Sequence, residues 1–211
     1  MTKIKHFVFN AFQVNAFVIY DDTKKAVIID GAANSERELN ELLGFIKNNE
    51  LEPEYIISTH GHLDHICGNF DLKSEFNIPV LMNNCDDLWV ERAMDQAALY
   101  SFDMKKPPMA DKNIEDGEII KFGNSELIAL HIPGHSPGSI AFYDKEGGYI
   151  IAGDTLFQHS IGRTDFPMGN HEDLINSIKN KLFILPDDTL ILPGHGPDTT
   201  IREEKKCNPF F

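Results

Sequence analysis

Apolar runs, rather than alternating positions, dominate the first third of the chain. Residues 4–9, 14–20 and 26–30 read as three strands, the last two almost wholly apolar and separated by the turn-forming Asp21-Asp22. Ser35-x-x-Glu38 then resembles a capping box, and Leu39, Leu42, Leu43 and Ile46 recur at helical spacing, so a helix is expected over one sheet face. Tyr55-Ile56-Ile57, short and preceded by Pro53, reads as a buried strand that stops at Ser58-Thr59. A helix starting near Asp64 is expected to carry Ile66 and Phe70 into the core. A strand near Pro79–Met82 and a helix through Asp87–Ala98, holding the sole tryptophan Trp89, come next. From Tyr100 to Asp116 the periodicity breaks, with two adjacent prolines. That loop is either functional, a lid at the substrate entrance, or packing over a sheet edge. Strands resume at 118–122, 126–132, 149–152 and 190–192. Between the last two, Asn170 caps a helix whose stripe is Leu174, Ile175, Ile178 and Leu182. A short helical piece and the apolar Asn208-Pro209-Phe210-Phe211 end the chain, an ending suited to docking on the body or on a partner chain.

The chemistry gathers where strands end. After Ile57 comes Thr59-His60-Gly61-His62-Leu63-Asp64-His65, four metal-binding side chains in six positions. His60 and His62, two apart in extended backbone, point the same way and can share one ion, while Asp64 and His65 at the start of a helix face a second. A lone histidine at a strand end is more often a hydrogen-bonded structural residue, but four such groups together are not explained that way. Ile132-Pro133-Gly134-His135 and Leu192-Pro193-Gly194-His195 repeat one ending, an apolar strand halted by proline with a histidine emerging, and suggest a duplicated half. Tyr149–Ala152 runs likewise into Gly153-Asp154-Thr155. Three strands thus end on one site. His6, His131, His159 and His171 stand outside these endings and are assigned structural or surface roles, and Cys67 is assigned to packing.

Length and charge narrow the function. The 211 residues, 42% hydrophobic, suit a single domain over residues 1–211. A formal net charge of −14 disfavours nucleic acid or an anionic membrane as partner. The opening MTKIKHFVFN lacks the apolar core of a signal peptide, and no stretch approaches the roughly 20 apolar residues of a membrane span, so the cytoplasm is the expected location. Three cysteines at unrelated spacings indicate neither a disulfide framework nor a cysteine-only zinc site.

The run from THGHLDH through PGH and GDT to the final PGH resembles the metallo-β-lactamase superfamily. That resemblance implies an α/β fold, the four-layer αββα sandwich of the metallo-β-lactamase type, with a binuclear site along one edge. It implies that His60, His62 and His135 hold a first metal, that Asp64, His65 and His195 hold a second, and that Asp154 bridges them. Asp64 and Asp154 are then the carboxylates closest to the chemistry. Two divalent ions, zinc first and iron or manganese as alternatives, would share a water and lower its pKa to give a bridging hydroxide. GDTLFQHSIGRTDFPMG and the closing segment resemble the short glyoxalase II-like hydrolases, which implies a small-molecule hydroxyacyl thioester such as S-lactoylglutathione as substrate. Long-form members grip glutathione with an added C-terminal helical domain, whereas this sequence ends soon after His195, so recognition of the thiol moiety is expected to differ. Arg163, in GRTDF, is the candidate substrate contact, against an ion pair with Asp165. A mononuclear iron persulfide dioxygenase also shows GRTDF but follows its final histidine with Asp-Tyr, where this chain has Gly196-Pro197. A non-catalytic metal or redox module of the flavodiiron kind is the third possibility, although that family has a glutamate at the position of His62.

Overall fold

Each half of the chain lays down one six-stranded sheet in the computed structural model, which describes residues Met1–Phe211. In the first half β1 (Lys3–Phe9), β2 (Val14–Tyr20) and β3 (Lys25–Ile29) form an antiparallel meander. Helix α1 (Glu36–Asn48) crosses over, and β4 (Glu52–Ile57) returns parallel to β3. After α2 (Leu63–Ile66) and α3 (Asn69–Phe76), β5 (Val80–Met82) adds parallel to β4. Helices α4 (Asp87–Glu91) and α5 (Ala93–Leu99) follow, and β6 (Lys112–Asn113) completes the sheet beside β5. The second half repeats the scheme. Strands β7 (Ile119–Phe122), β8 (Ser125–His131), β9 (Ile140–Asp144) and β10 (Tyr149–Gly153) form a meander, followed by the hairpin β11 (Leu156–Phe157) and β12 (Ser160–Ile161). Helix α6 (His171–Ser177), extended by a π-helical turn over Ile178–Leu182, leads to β13 (Leu190–Pro193), parallel to β10. β14 (Thr199–Thr200) and α7 (Ile201–Cys207) end the fold. No helix is long and apolar enough to cross a membrane.

Both faces of both sheets are covered, which explains why the strands read as continuous apolar runs. On β2 and β3, Phe17, Ile19, Val27 and Ile29 point into a core between the sheets, where they meet Leu127, Ile140, Phe142 and Ile151 of the second sheet. Their neighbours Ala16, Val18, Ala26 and Ile28 point the other way, onto Leu42 and Ile46 of α1 and Leu72 of α3. On the far side Ile150, Ala152 and Ile191 pack against Leu174, Ile178 and Leu182. These three cores define the order helix, sheet, sheet, helix, the αββα sandwich expected from the sequence.

Several local expectations need correction. Phe70 lies on the exposed side of α3, where the Lys105 ammonium sits 5.4 Å over its ring, because the chain turns at Cys67-Gly68 and resets the helical face after α2. The helix through 87–98 is two, broken at Arg92. Only half of the capping box forms. Ser35 Oγ accepts the Glu38 N–H at 3.3 Å, but the Glu38 carboxylate accepts the N–H groups of Asn10 and Asn34 instead, which docks the β1–β2 turn on α1. The 100–116 segment is anchored: Met104 packs against Ile66, Met82 and Val90, and Ile114 reaches the core between the sheets. Strand β9 and the hairpin β11–β12 had no counterpart in the sequence pattern.

Candidate metal centre

The carboxyl ends of β4, β8, β10 and β13 converge on one edge of the sandwich, where the two sheets are stitched together. Asn15 N–H, at the start of β2, donates to Gly194 O at 2.7 Å, and Ile140 N–H, opening β9, donates to Thr59 O at 2.8 Å. All seven residues expected at the site meet there. Ligand atoms of His60, His62 and His135 lie within 4.8 Å of one another, as do those of Asp64, His65 and His195. In the first group His62 Nδ1 is 2.9 Å from His135 Nε2. In the second, His65 Nε2 is 3.2 Å from His195 Nε2, and Asp64 Oδ2 is 3.7 Å from the former and 3.5 Å from the latter. Asp154 stands between the groups, its Oδ2 at 3.6 Å from His135 Nε2 and 3.5 Å from His195 Nε2. Its Oδ1 is 3.5 Å from His65 Nε2.

The donors fit divalent metal. Bonds of about 2.0–2.2 Å around one ion put neighbouring ligand atoms roughly 3–3.5 Å apart, close to most of these separations. Second, His60 Nε2 and Asp154 Oδ1 are buried with no hydrogen-bond partner, which folded proteins avoid unless something else satisfies the atom. Third, the other nitrogen of four rings is already engaged. His65 Nδ1 donates to Asp30 Oδ2 at 2.9 Å, His60 Nδ1 to Thr59 Oγ1 at 3.0 Å, His135 Nδ1 to Arg163 O at 2.8 Å and His195 Nδ1 to Phe12 O at 2.9 Å. Each bond fixes the tautomer that leaves Nε2 free to bind metal.

Charge divides the two groups. Burial, reinforced by the other histidines, pushes His60 well below the ordinary histidine range and His62 down to about 3, so both are neutral donors. Burial would also depress His65 and His195, but Asp154 and Asp64, with Asp30 behind His65, overcome it and raise them to about 9 and about 11. Asp64 and Asp154 are lowered despite their burial by the facing imidazoles, so both are ionised.

Two residues that the sequence did not single out hold the ligands in place. Asp30, at φ +56 just past β3, accepts from Thr59 N–H at 2.7 Å, Thr59 Oγ1 at 2.8 Å and His65 Nδ1. It ends an apolar strand as Asp154 does, which is the signal that could have found it. Asp86, fully buried, accepts from Gly61 N–H at 2.8 Å, Ser136 Oγ at 2.7 Å and Gly138 N–H at 2.7 Å. One carboxylate thereby ties the loop of His60 and His62 to the loop of His135. It lies in the polar run Asn83–Asp87, where nothing in the sequence distinguishes it.

A cavity of about 600 Å³ opens over the cluster. Phe12, Trp89, Tyr100, Phe157 and Phe166 wall it, Asp64, Asp154 and Arg163 supply charge, and His62, His135 and His195 line its floor. Arg163 lines it with its guanidinium forked onto Asp165, two bonds of 2.7 Å, and stacked 4.0 Å from the Phe166 ring. The ion pair weighed from the sequence is therefore formed. Of the 100–116 segment, Tyr100 reaches the cavity, and its ring packs edge-on to Phe12. The remaining histidines are structural or on the surface. His6 Nε2 is 2.8 Å from Asn15 Oδ1, His131 Nε2 donates to Pro137 O at 2.8 Å, His159 pairs with Glu203, and His171 is exposed at the start of α6. Cys67 is buried, its thiol pushed upward by that burial and donating to Ala32 O at 3.2 Å, as a packing residue should be.

Residues 9–195 match the sequence family described as the metallo-beta-lactamase superfamily. The chain belongs to that superfamily. It is 41% identical over 203 residues to hydroxyacylglutathione hydrolase GloC of Haemophilus influenzae, covering 95% of this chain and 94% of that protein. Among solved structures, the B3 metallo-beta-lactamase BLEG-1 superposes with a TM-score of 0.90 at 35% identity, covering 99% of both chains. TTHA1623 in a di-iron-bound form superposes at 0.88 and 35% identity, over 98% of this chain and 100% of that one. Membership makes the chain a metallo-hydrolase, and the histidine and aspartate cluster on the sheet edge is where a superfamily member is expected to bind divalent metal.

Proposed function

We propose that this chain hydrolyses small-molecule thioesters, S-lactoylglutathione among them, with two divalent ions in the paired triads, zinc first and iron or manganese as alternatives. The observation that carries the proposal is the position of Asp154 Oδ2, 3.6 Å from His135 of one triad and 3.5 Å from His195 of the other. The name of the Haemophilus influenzae relative supports the thioester, and the di-iron form of TTHA1623 supports two ions. Two ions so held would lower the pKa of a shared water toward neutrality and polarise a substrate carbonyl. The chain's own residues do the rest. His60 and His62 present neutral donors beside His135, and Asp64 and Asp154 supply the negative charge that offsets two cations in one site. Phe12, Tyr100, Phe157 and Phe166 exclude bulk water from the reacting bond. Arg163 can turn from Asp165 to a substrate oxygen, because both partners are exposed and such a pair is weak.

The leaving group separates this activity from a second, hydrolysis of β-lactams, which the likeness to BLEG-1 favours. A departing amide nitrogen must be protonated, whereas a thiol of ordinary pKa about 8.5 leaves as thiolate. The carboxylates lining the cavity, Asp64 and Asp154, are both held ionised and carry no proton to give. The test is steady-state kinetics of one metal-loaded preparation on S-lactoylglutathione, simpler thioesters, a persulfide and a β-lactam. kcat/KM on the best thioester is expected to exceed that on the β-lactam by at least about a hundredfold, or ~2.7 kcal/mol. Equal rates on the two classes would refute the thioesterase and leave a hydrolase. Oxygen consumption with the persulfide would instead favour the dioxygenase. The cytoplasm and the absence of nucleic-acid or membrane partners remain part of the proposal.

A further inference from the structure

A second kind of donor cluster lies on the outer side of hairpin β11–β12, away from the seven residues above. His159, at the turn of the hairpin, puts Nε2 at 2.9 Å from Glu203 Oε1, and the Cys207 sulfur lies within 4.8 Å of both ligand atoms. Glu203 and Cys207 are four residues apart on α7 and so share one helical face. We infer that His159, Glu203 and Cys207 form a separate surface site for a divalent ion of the zinc class.

The donor chemistry points to that class. One imidazole, one carboxylate and one thiolate are the three ligand types zinc takes, and a sulfur donor disfavours magnesium and calcium, which seek oxygen. Three protein donors leave a position for water. Binding replaces the Cys207 S–H bond with a sulfur–metal bond and releases the proton to solvent.

The framework beneath the trio is built rather than incidental. Glu204, fully buried, accepts the His159 N–H on Oε2 at 2.9 Å and the Thr199 hydroxyl on Oε1 at 2.6 Å. Asn208 Nδ2 donates both to Glu204 Oε2 at 2.7 Å and to Ser160 O at 3.1 Å. The hairpin and α7 are therefore locked together one residue away from each ligand. His159 itself is held at φ +55, a left-handed backbone uncommon outside glycine, which the Glu204 bond helps to impose. The same hairpin contributes Phe157, Ser160 and Ile161 to the wall of the cavity. An ion on the trio would tie that wall to α7. The inference does not depend on which substrate the main site takes.

Cobalt distinguishes this site from the main cluster, whose donors include no sulfur, because a thiolate on cobalt gives an intense near-ultraviolet charge-transfer band. The chelator-stripped full chain is titrated with Co²⁺ in the wild type and in Cys85→Ser, Cys207→Ser and His159→Asn. The expected result is a charge-transfer band that zinc bleaches, kept in Cys85→Ser and lost in Cys207→Ser. In His159→Asn half-saturation should move to at least about tenfold more cobalt, ~1.4 kcal/mol of binding. The wild type decides the matter even if a variant misfolds, since no band at saturating cobalt overturns the site and leaves only a His159–Glu203 ion pair. A band that survives Cys207→Ser, or ignores His159→Asn, overturns it equally.

Discussion

Replacing Asp86 by alanine should loosen one triad and leave the other intact. Its carboxylate accepts from Gly61 N–H, Gly138 N–H and Ser136 Oγ, all within 2.8 Å. Gly61 separates His60 from His62, and Ser136 follows His135, so the two loops that carry the first triad are tied together by this one side chain. The Ser136 hydroxyl has another partner in Ser139 Oγ at 2.8 Å, but the two amides have none. A buried amide left unpaired costs about 1–3 kcal/mol, so two cost ~2–6 kcal/mol. Burial already raises the Asp86 pKa, a sign that the carboxylate is itself costly to bury, and removing it returns part of that cost. A net loss of about 2–4 kcal/mol is expected, which for a chain of this size is a fall in Tm of roughly 4–16 °C. Asp86→Asn keeps one oxygen and should lose about half as much. The assays are thermal unfolding of the metal-free protein and metal content after dialysis against a weak chelator. In Asp86→Ala the more weakly held equivalent should come from the His60, His62 and His135 group, read by the histidine ring NMR signals. Unchanged Tm together with unchanged metal retention would refute the reasoning.

Three further outcomes are expected. His195→Ala should cost metal at the Asp64 and His65 group while the histidine triad keeps its own, because His195 Nε2 is 3.2 Å from His65 Nε2 and contributes nothing to the other group's three atoms; loss of both equivalents together by elemental analysis would count against two separable sites. At pH 7 the metal-free protein carries protons on His195 and His65, raised to about 11 and about 9, so zinc uptake by the main cluster, measured in Cys207→Ser, should release about two protons and tighten as pH rises toward 9. An indicator-dye titration that records no release would contradict those protonation states. Tyr100→Ala should raise KM for a thioester by about two- to tenfold through the lost aromatic wall while metal content stays the same, and an unchanged KM would show that Tyr100 does not touch substrate.

The layers were legible because burial on both faces leaves a plain mark. A strand packed on one face alternates, whereas Phe17-Val18-Ile19 and Val27-Ile28-Ile29 divide residue by residue between two cores and so appear as unbroken apolar runs. What escaped was set by contacts distant in sequence. Phe70 has helical spacing from Ile66, but the break at Cys67-Gly68 is forced by Gly31, whose carbonyl takes the Gly68 N–H, and no local pattern reports that neighbour. The loop over 100–116 shows no period because its few apolar residues reach different cores: Met104 enters one beside α4 and Ile114 the one between the sheets.

Every expected ligand lies in the segment that follows a strand, Asp64 and His65 on the short helix α2 just beyond the β4 loop, and that is why the cluster could be assembled from motifs alone. The two Pro-Gly-His endings misled in one respect, since both lie in the second half of the chain and are not equivalent positions of a repeat. Their glycines differ in purpose. At Gly134, φ +141, a side chain would collide with the backbone of Leu174 on α6; at Gly194 a Cβ would strike Asp154 Oδ1 and come within 2.9 Å of His65 Cε1. The repeat that the topology does contain is meander, helix and parallel strand, which pairs β3 with β10 and β4 with β13. Under that pairing the ends correspond: His60 follows β4 as His195 follows β13, and Asp30 follows β3 as Asp154 follows β10. Two aspartates in equivalent places have taken different tasks. Asp154 turns its carboxylate between the triads, while Asp30 stands behind His65 and fixes the ring by its Nδ1. The difference lies in which histidine nitrogen each carboxylate faces, a property of the assembled edge that neither strand carries alone.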